Sequence, residues 1–289
     1  MPGAQGTLWD RFLAPVVRSL IDEEALRRFY ESVDWEAESA RLGNPNLSYP
    51  DYYRSANFHG IEGGYCNPQA AVTYDAITQY AVPPNEQWVR QEAIDTLAGQ
   101  PQRILDLGCG TGSMALMLQR QFPQAEVMGL DLSPYMLVVA EHKAHQANAS
   151  VRWYHGKAEA TGLPNGSLDL VTAALLFHET PPAIACTILQ EGLRLLRPGG
   201  EFLVLDGHQA HLQQADWVMD VFEEPYIRDY AAGDCEAWMA AAGFEAVGTH
   251  EIWWIHQATR GVKPLPARQA RPHPGTATAP EWPDASAPA

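Results

Sequence analysis

Positive charge is scarce in this chain. Nineteen lysines and arginines face 35 aspartates and glutamates, a formal net charge of −16 with a pI of about 4.9. Such a surface repels phosphate backbones and anionic lipid, which argues against nucleic-acid binding and polybasic membrane docking. A neutral, cationic or apolar small substrate suits it better. Long apolar runs are missing too: nothing approaches the ~20 residues that a membrane-spanning helix needs. The N-terminus has no basic-plus-apolar leader, so the expected location is cytoplasmic. Cysteine is sparse, and Cys66, Cys109, Cys186 and Cys235 lie far apart, with neither metal-ligand spacing nor a disulfide pattern. They read as buried or incidental thiols, and no metal is expected. No internal repeat is apparent.

What is present is a strand that ends in an acid and a glycine turn. Residues 104–112 read Ile-Leu-Asp-Leu-Gly-Cys-Gly-Thr-Gly and lead into an amphipathic helix. Gly108, Gly110 and Gly112 allow a tight turn whose backbone can approach a ligand, with the helix amides aimed at it. The dinucleotide fingerprint G-x-G-x-x-G is lacking, because Ser113 stands where its third glycine would be. Asp106 would also face a pyrophosphate there, whereas it suits a cationic or hydrogen-bond-donating ligand end, such as the methionyl ammonium of S-adenosylmethionine. About two dozen residues past Gly108, the strand 125–130 ends at Asp131, which can accept both ribose hydroxyls of an adenosine cofactor. Ser133 and Pro134 then start a helix as N-cap and first helical residue.

These motifs resemble the class I S-adenosylmethionine-dependent methyltransferases, whose first motif is D/E-x-G-x-G-x-G. Further segments extend the likeness across roughly residues 100–260. A strand at Val151 to Tyr154 is followed by Gly156-Lys157-Ala158-Glu159 and Leu163-Pro164. The fourth strand spans Leu168 to Leu176, and Leu195-Arg197-Pro198-Gly199-Gly200 leads into the strand Glu201 to Leu205. Outside the cofactor motifs the likeness is to the small-molecule branch that includes ubiquinone/menaquinone-biosynthesis methyltransferases. The resemblance implies an α/β fold: a Rossmann-like, seven-stranded, mostly parallel sheet with helices on both faces. It implies S-adenosyl-L-methionine as cofactor, held by Asp106, Gly108, Gly110, Gly112, Asp131 and Leu132. Met136 would pack on the adenine, Phe177 would wall the cofactor, and Tyr74-Asp75 would lie near its methionine end. Lys157 stands where the family has an Asp, which passes the adenine contact to the Ala158 backbone or Glu159.

Length and composition, 289 residues and 46% hydrophobic, fit one enlarged domain rather than two. Residues 1–100 form a helical extension, with a helix capped by Asp22, another over Trp35 to Leu42 ending at Gly43, and a third capped by Asn85. The resemblance makes this extension a lid. Residues 101–262 form the cofactor-binding core, and the Pro- and Ala-rich 263–289 is expected to be disordered. The segment 49–65 mixes four tyrosines and a phenylalanine with three glycines, His59, Arg54 and Glu62. It reads as a flap over the substrate, or as a surface loop pinned by its aromatics. His59 and Tyr65 are its candidate catalytic residues. After the fourth strand, His178 and Glu179 could act as base or substrate anchor, or merely cap the next helix. Asp206 and His208, after the fifth strand, share that carboxyl edge. His142, His145 and His155 read as solvated or structural.

Three functions fit: an enzyme methylating a small metabolite, a protein or RNA methyltransferase, and a non-catalytic cofactor-binding scaffold. The intact Asp106, glycine turn and Asp131 oppose the scaffold, and the negative charge opposes RNA. The Asn/Asp-Pro-Pro-Tyr/Phe signature of amide- and base-nitrogen modification is absent after the fourth strand. A homodimer is compatible with the composition.

Overall fold

The computed structural model describes residues 21–54, 64–81, 85–215, 217, 219–220 and 224–266. Its centre is a seven-stranded sheet: β1 (Arg103–Leu107), β2 (Glu126–Asp131), β3 (Val151–His155), β4 (Leu168–Ala174), β5 (Leu196–Gly207), β6 (Glu245–Ile252) and β7 (His256–Val262). The order is β3-β2-β1-β4-β5-β7-β6. All neighbours are parallel except β7, which runs antiparallel to both β5 and β6. The strand order reverses beside β1, so a crevice opens at the carboxyl ends of β1 and β4. The central strands are apolar on both faces, as a sheet covered on both sides requires.

Eleven α-helices occur among the described residues. In the N-terminal part these are α1 (Glu23–Ser32), α2 (Trp35–Leu42), α3 (Asp51–Arg54) and α4 (Pro68–Ala81). Then come α5 (Glu86–Asp95), α6 (Ser113–Gln121), α7 (Pro134–Gln146), α8 (Pro182–Leu195), α9 (Gln209–Gln214), α10 (Ile227–Ala231) and α11 (Cys235–Ala242). The expected caps are in place: Asp22, Asn85 and Ser133 each accept a backbone N–H from the first turn of their helix. Gly43 ends α2 with extended backbone instead of a left-handed cap.

Two apolar layers sandwich the sheet. On one face Leu105, Val171 and Phe202 pack with Ile188 and Leu189 of α8 and Tyr230 of α10. On the other, Ile104, Val127 and Leu203 pack with Val89, Ala93 and Ile94 of α5 and with Leu118 of α6. Although α5 precedes residue 100, it therefore belongs to the sheet sandwich. A third cluster joins the rest of the N-terminal part to α7: Tyr65, Ala70 and Ala71 meet Met136 and Val139, with Phe29, Trp35 and Tyr74 against them.

Polar ties reinforce that docking. The Asn44 N–H donates to His155 Nδ1 (2.8 Å), while His155 Nε2 donates to the Leu132 carbonyl (2.9 Å). Burial lowers the pKa of His155, so the ring serves as a neutral bracket, a structural role as expected. Two segment boundaries differ from the sequence reading. β5 starts at Leu196, ahead of the Pro-Gly-Gly turn, because Leu196 already pairs with Leu168. Lys263, taken as the start of the tail, is tied down at both ends: its backbone bonds to Gly199 and Gly200, and its Nζ donates to the Leu196 carbonyl. Residues 267–289 lie outside the described residues.

Candidate active site

A cavity with about 820 Å³ of empty space, its open mouth included, lies at the carboxyl ends of β1, β2 and β4. Helices α3 and α4 and the 64–67 turn roof it with Tyr52, Tyr53, Tyr65 and Tyr74.

The floor is the glycine loop. Gly108 has φ +62°, and a Cβ there would meet Leu176 Cδ1 at 2.6 Å. Gly110 also has positive φ, but a Cβ there would meet nothing within 4 Å, so this glycine leaves room for a ligand. Gly112 has a different task. It is absent from the cavity wall and starts α6 with φ +80°, where a Cβ would strike Trp153 at 2.6 Å. The third glycine therefore serves close helix–sheet packing.

Asp106 is buried at the base of the cavity. Its Oδ1 accepts from Thr172 Oγ1 at 2.7 Å, and its Oδ2 is buried with no hydrogen-bond partner. Burial pushes its pKa up to about 7, against the opposing pull of the Thr172 bond and the Arg90 charge. An orphaned carboxylate oxygen at the wall of a cavity is costly unless a donor arrives. Arg90 of α5 lines the same cavity and is held by Glu86, whose Oε1 accepts from Arg90 Nε at 2.8 Å. A carboxylate and a guanidinium side by side suit the ammonium and carboxylate of an amino-acid moiety. Asp131, at the end of β2, accepts from the Gly110 N–H (2.8 Å) and the Ser133 N–H (2.7 Å). Burial raises its pKa to about 6, with those backbone bonds opposing. Leu132, Met136 and Ala158 continue the wall beyond it. These residues fit S-adenosylmethionine: donors and acceptors for the methionyl end, an acid for the ribose, an apolar slot for adenine.

The opposite end holds an aromatic–acid pair. Tyr65 Oη donates to Glu179 Oε1 at 2.7 Å, its carbonyl accepts from Ser133 Oγ at 2.7 Å, and its ring packs edge-on against Tyr74 at 5.8 Å. Burial and the Glu179 charge keep the Tyr65 phenol protonated. Tyr74 lines the cavity, while its neighbour Asp75 turns to the glycine loop. Asp75 accepts from Thr111 Oγ1 and Lys143 Nζ, both at 2.5 Å, and Lys143 also donates to Ser113 Oγ at 2.9 Å. This knot fastens α4 to the loop and to α7.

Of the residues expected from sequence, Asp106, Gly108, Gly110, Asp131, Leu132, Met136, Ala158, Tyr74, Tyr65 and Glu179 line the cavity. His59 lies outside the described residues. Besides Gly112, four others do not line it. Phe177 is fully buried in the core, because Leu175 adopts φ +58° and the chain then winds into a 3-10 turn at Phe177–Glu179. Leu175 and Leu176 take the wall position instead. Glu159 is turned outward to accept from Tyr52 Oη at 3.3 Å. His178 points to Asp206, with Nδ1 donating to Oδ1 at 2.6 Å. Burial opposes its charge, but the Asp206 carboxylate prevails and raises its pKa to about 10, which favours the cationic ring. His208 caps α9 away from the cavity. Sequence reading missed Arg90, whose signal was a lone cation on the apolar Val89/Ala93 face of α5, four residues after Glu86.

Comparisons with known proteins agree with this geometry. A family model described as a methyltransferase domain matches residues 104–200. A demethylmenaquinone methyltransferase of Thermus thermophilus is 42% identical over 118 residues, covering 40% of this chain and 53% of its own. The chain thus spans about half the length of that relative. An uncharacterized methyltransferase of Synechocystis is 31% identical over 174 residues, covering 57% of this chain and 77% of its own. Among solved structures, a SAM-dependent methyltransferase of Aquifex aeolicus superposes with a TM-score of 0.52 at 17% identity, covering 68% of this chain and 98% of its own, a likeness of fold alone. No helix among the described residues is long and apolar enough to cross a membrane. The sheet order, the Asp106–glycine loop–Asp131 constellation and the coverage of the Synechocystis protein lead to one conclusion: the chain belongs to the class I S-adenosylmethionine-dependent methyltransferases.

Proposed function

We propose that this chain methylates a small, hydroxyl-bearing aromatic acceptor, at oxygen or at a ring carbon activated by that hydroxyl, beneath its N-terminal helices. The observation that carries this reading is the Tyr65–Glu179 pair, a carboxylate at the cavity wall amid the rings of Tyr52, Tyr53, Tyr65 and Tyr74. The name of the Thermus relative, a demethylmenaquinone methyltransferase, supports an acceptor of this class.

Bound S-adenosylmethionine supplies an electrophilic methyl on a sulfonium. The chain's own residues then have three tasks. Asp106 and Arg90 hold the methionyl end and Asp131 the ribose, which fixes the direction in which the methyl faces. The tyrosines roof the cavity and exclude water, so an acceptor oxygen is not blunted by solvation. Glu179 takes the acceptor's proton, with Tyr65 orienting the carboxylate through its 2.7 Å bond. The cationic His178, with Nε2 4.0 Å from Glu179, favours the ionised carboxylate that a base requires.

The test is a panel of hydroquinones, catechols, phenols and amines with labelled cofactor, read by mass spectrometry. A hydroxylated aromatic should be the acceptor. Glu179→Gln should lower turnover by about a hundredfold or more, the scale for losing a general base, with cofactor affinity within a few-fold. Methylation of amines alone, or full turnover in Glu179→Gln, would overturn the reading.

A further inference from the structure

At the same carboxyl edge, outside the cavity, three side chains converge that the methyl-transfer reading does not use. His208 caps α9 and His211 follows one turn later, while Glu251 lies near the end of β6. Each offers one ligand atom, and these atoms all lie within 4.8 Å of one another. Sequence spacing hid the set, since Glu251 comes forty residues after the histidine pair and no cysteine takes part.

The ring geometry sets how an ion would be held. The imidazoles of His208 and His211 lie face to face, centroids 3.9 Å apart and planes 15° apart. His211 Nδ1 meets the Trp254 carbonyl, which places its proton there and leaves Nε2 as the donor atom. A ring nitrogen anchored on a backbone carbonyl is the arrangement that orients metal-bound histidines. His208 is less committed, since its Nδ1 accepts only a long 3.4 Å bond from the His211 N–H. Giving up that bond lets the ring splay from its neighbour and aim at a shared ion, which stacked rings cannot do. Trp254 stacks on the outer side of His211 at 5.7 Å and limits its rotation.

We propose that His208, His211 and Glu251 form a binding site for a divalent transition metal of the zinc type. Two imidazoles and a carboxylate are a zinc-type ligand set, with solvent completing the coordination. The hard cations Mg²⁺ and Ca²⁺ prefer oxygen and are excluded by the imidazoles. The net charge of −16 also draws cations to the surface. The ion ties the start of α9 to the β6–β7 hairpin, adjoining the β5 end that carries Asp206. Its role is a clamp on this edge of the sheet, independent of the acceptor proposed above.

The experiment uses the full chain without a polyhistidine tag. Titration calorimetry with ZnCl₂ should show one saturable site per chain, absent with MgCl₂ and CaCl₂, and zinc should raise the melting temperature. Co²⁺ should give a visible d–d absorption band. The conservative variants Glu251→Gln and His208→Gln should each weaken zinc binding at least tenfold. The double variant His208→Ala/His211→Ala should abolish both the site and the thermal shift. Binding of equal strength in Glu251→Gln and His208→Gln, no saturable zinc site in the parent chain, or equal binding of Mg²⁺ would overturn the proposal.

Discussion

The two ends of the cavity are built in opposite ways. The cofactor end draws mainly on one run of chain, residues 104–136, in which strand, glycine loop, acid and helix cap follow in order, with Arg90 and Ala158 added from outside it. The proposed acceptor end is assembled from pieces far apart in sequence: Tyr65 and Glu179 are 114 positions apart. The first end is set largely by local pattern, and the second by a pairing across the fold. Substitutions at the cofactor end should therefore act on affinity, and those at the acceptor end on turnover.

The largest effect is expected at Asp106. Replacing it by Ala removes the buried acceptor for a charged donor and should weaken cofactor binding by about a hundredfold, the range for a desolvated charge-assisted bond. Asp131→Ala should cost at least about tenfold. Calorimetry with the cofactor checks both, and the comparison breaks if Tyr65→Phe weakens binding as much as Asp106→Ala.

A smaller effect concerns pH. Because Asp106 titrates at about 7 in the free protein, while a bound ammonium favours its ionised form, cofactor affinity should rise several-fold as pH increases from about 6 to 7.5. Asp106→Asn should flatten that profile. The same raised pKa means that the folded state holds a proton the unfolded chain has lost, so the free protein loses stability as pH climbs from the ordinary carboxylate range towards 7. Cofactor should oppose that loss.

The smallest effect separates the two ends by stability alone. His178 has its folded pKa raised from 6.5 to about 10, so its contribution is fully present below 6.5 and fades as pH rises to 10. Melting temperatures of His178→Asn across that window should run flatter than those of the parent chain, with the difference largest at the acid end. Parallel curves would place the stabilisation elsewhere.

This contrast also explains what could be read from sequence. The core strands and the positions of Asp106, Gly108, Gly110 and Asp131 follow from local patterns, because each feature is set by its immediate neighbours, whereas the sheet architecture comes from the family resemblance. Phe177 was misjudged as a cofactor wall because one left-handed residue, Leu175, turns the chain at the strand end, and no periodicity announces it. His178 looked like a base because sequence does not show that Asp206, 28 positions on, holds its proton. Glu179 could be named from its place at the strand end, but its pairing with Tyr65 could not, since nothing local links them. Arg90 left a faint trace, a cation where the helix face is otherwise apolar.

The ties of the N-terminal helices have a consequence for how the chain is made. Asp75 waits for Lys143, 68 positions later, and Tyr49 for His155, 106 positions later. The partner of Tyr65 comes later still. This segment is made before its partners, so these contacts wait, the last of them until the chain beyond β4 has been synthesised. Until then Tyr49, and Tyr65 of the roof, lack the partners that hold them in the folded chain.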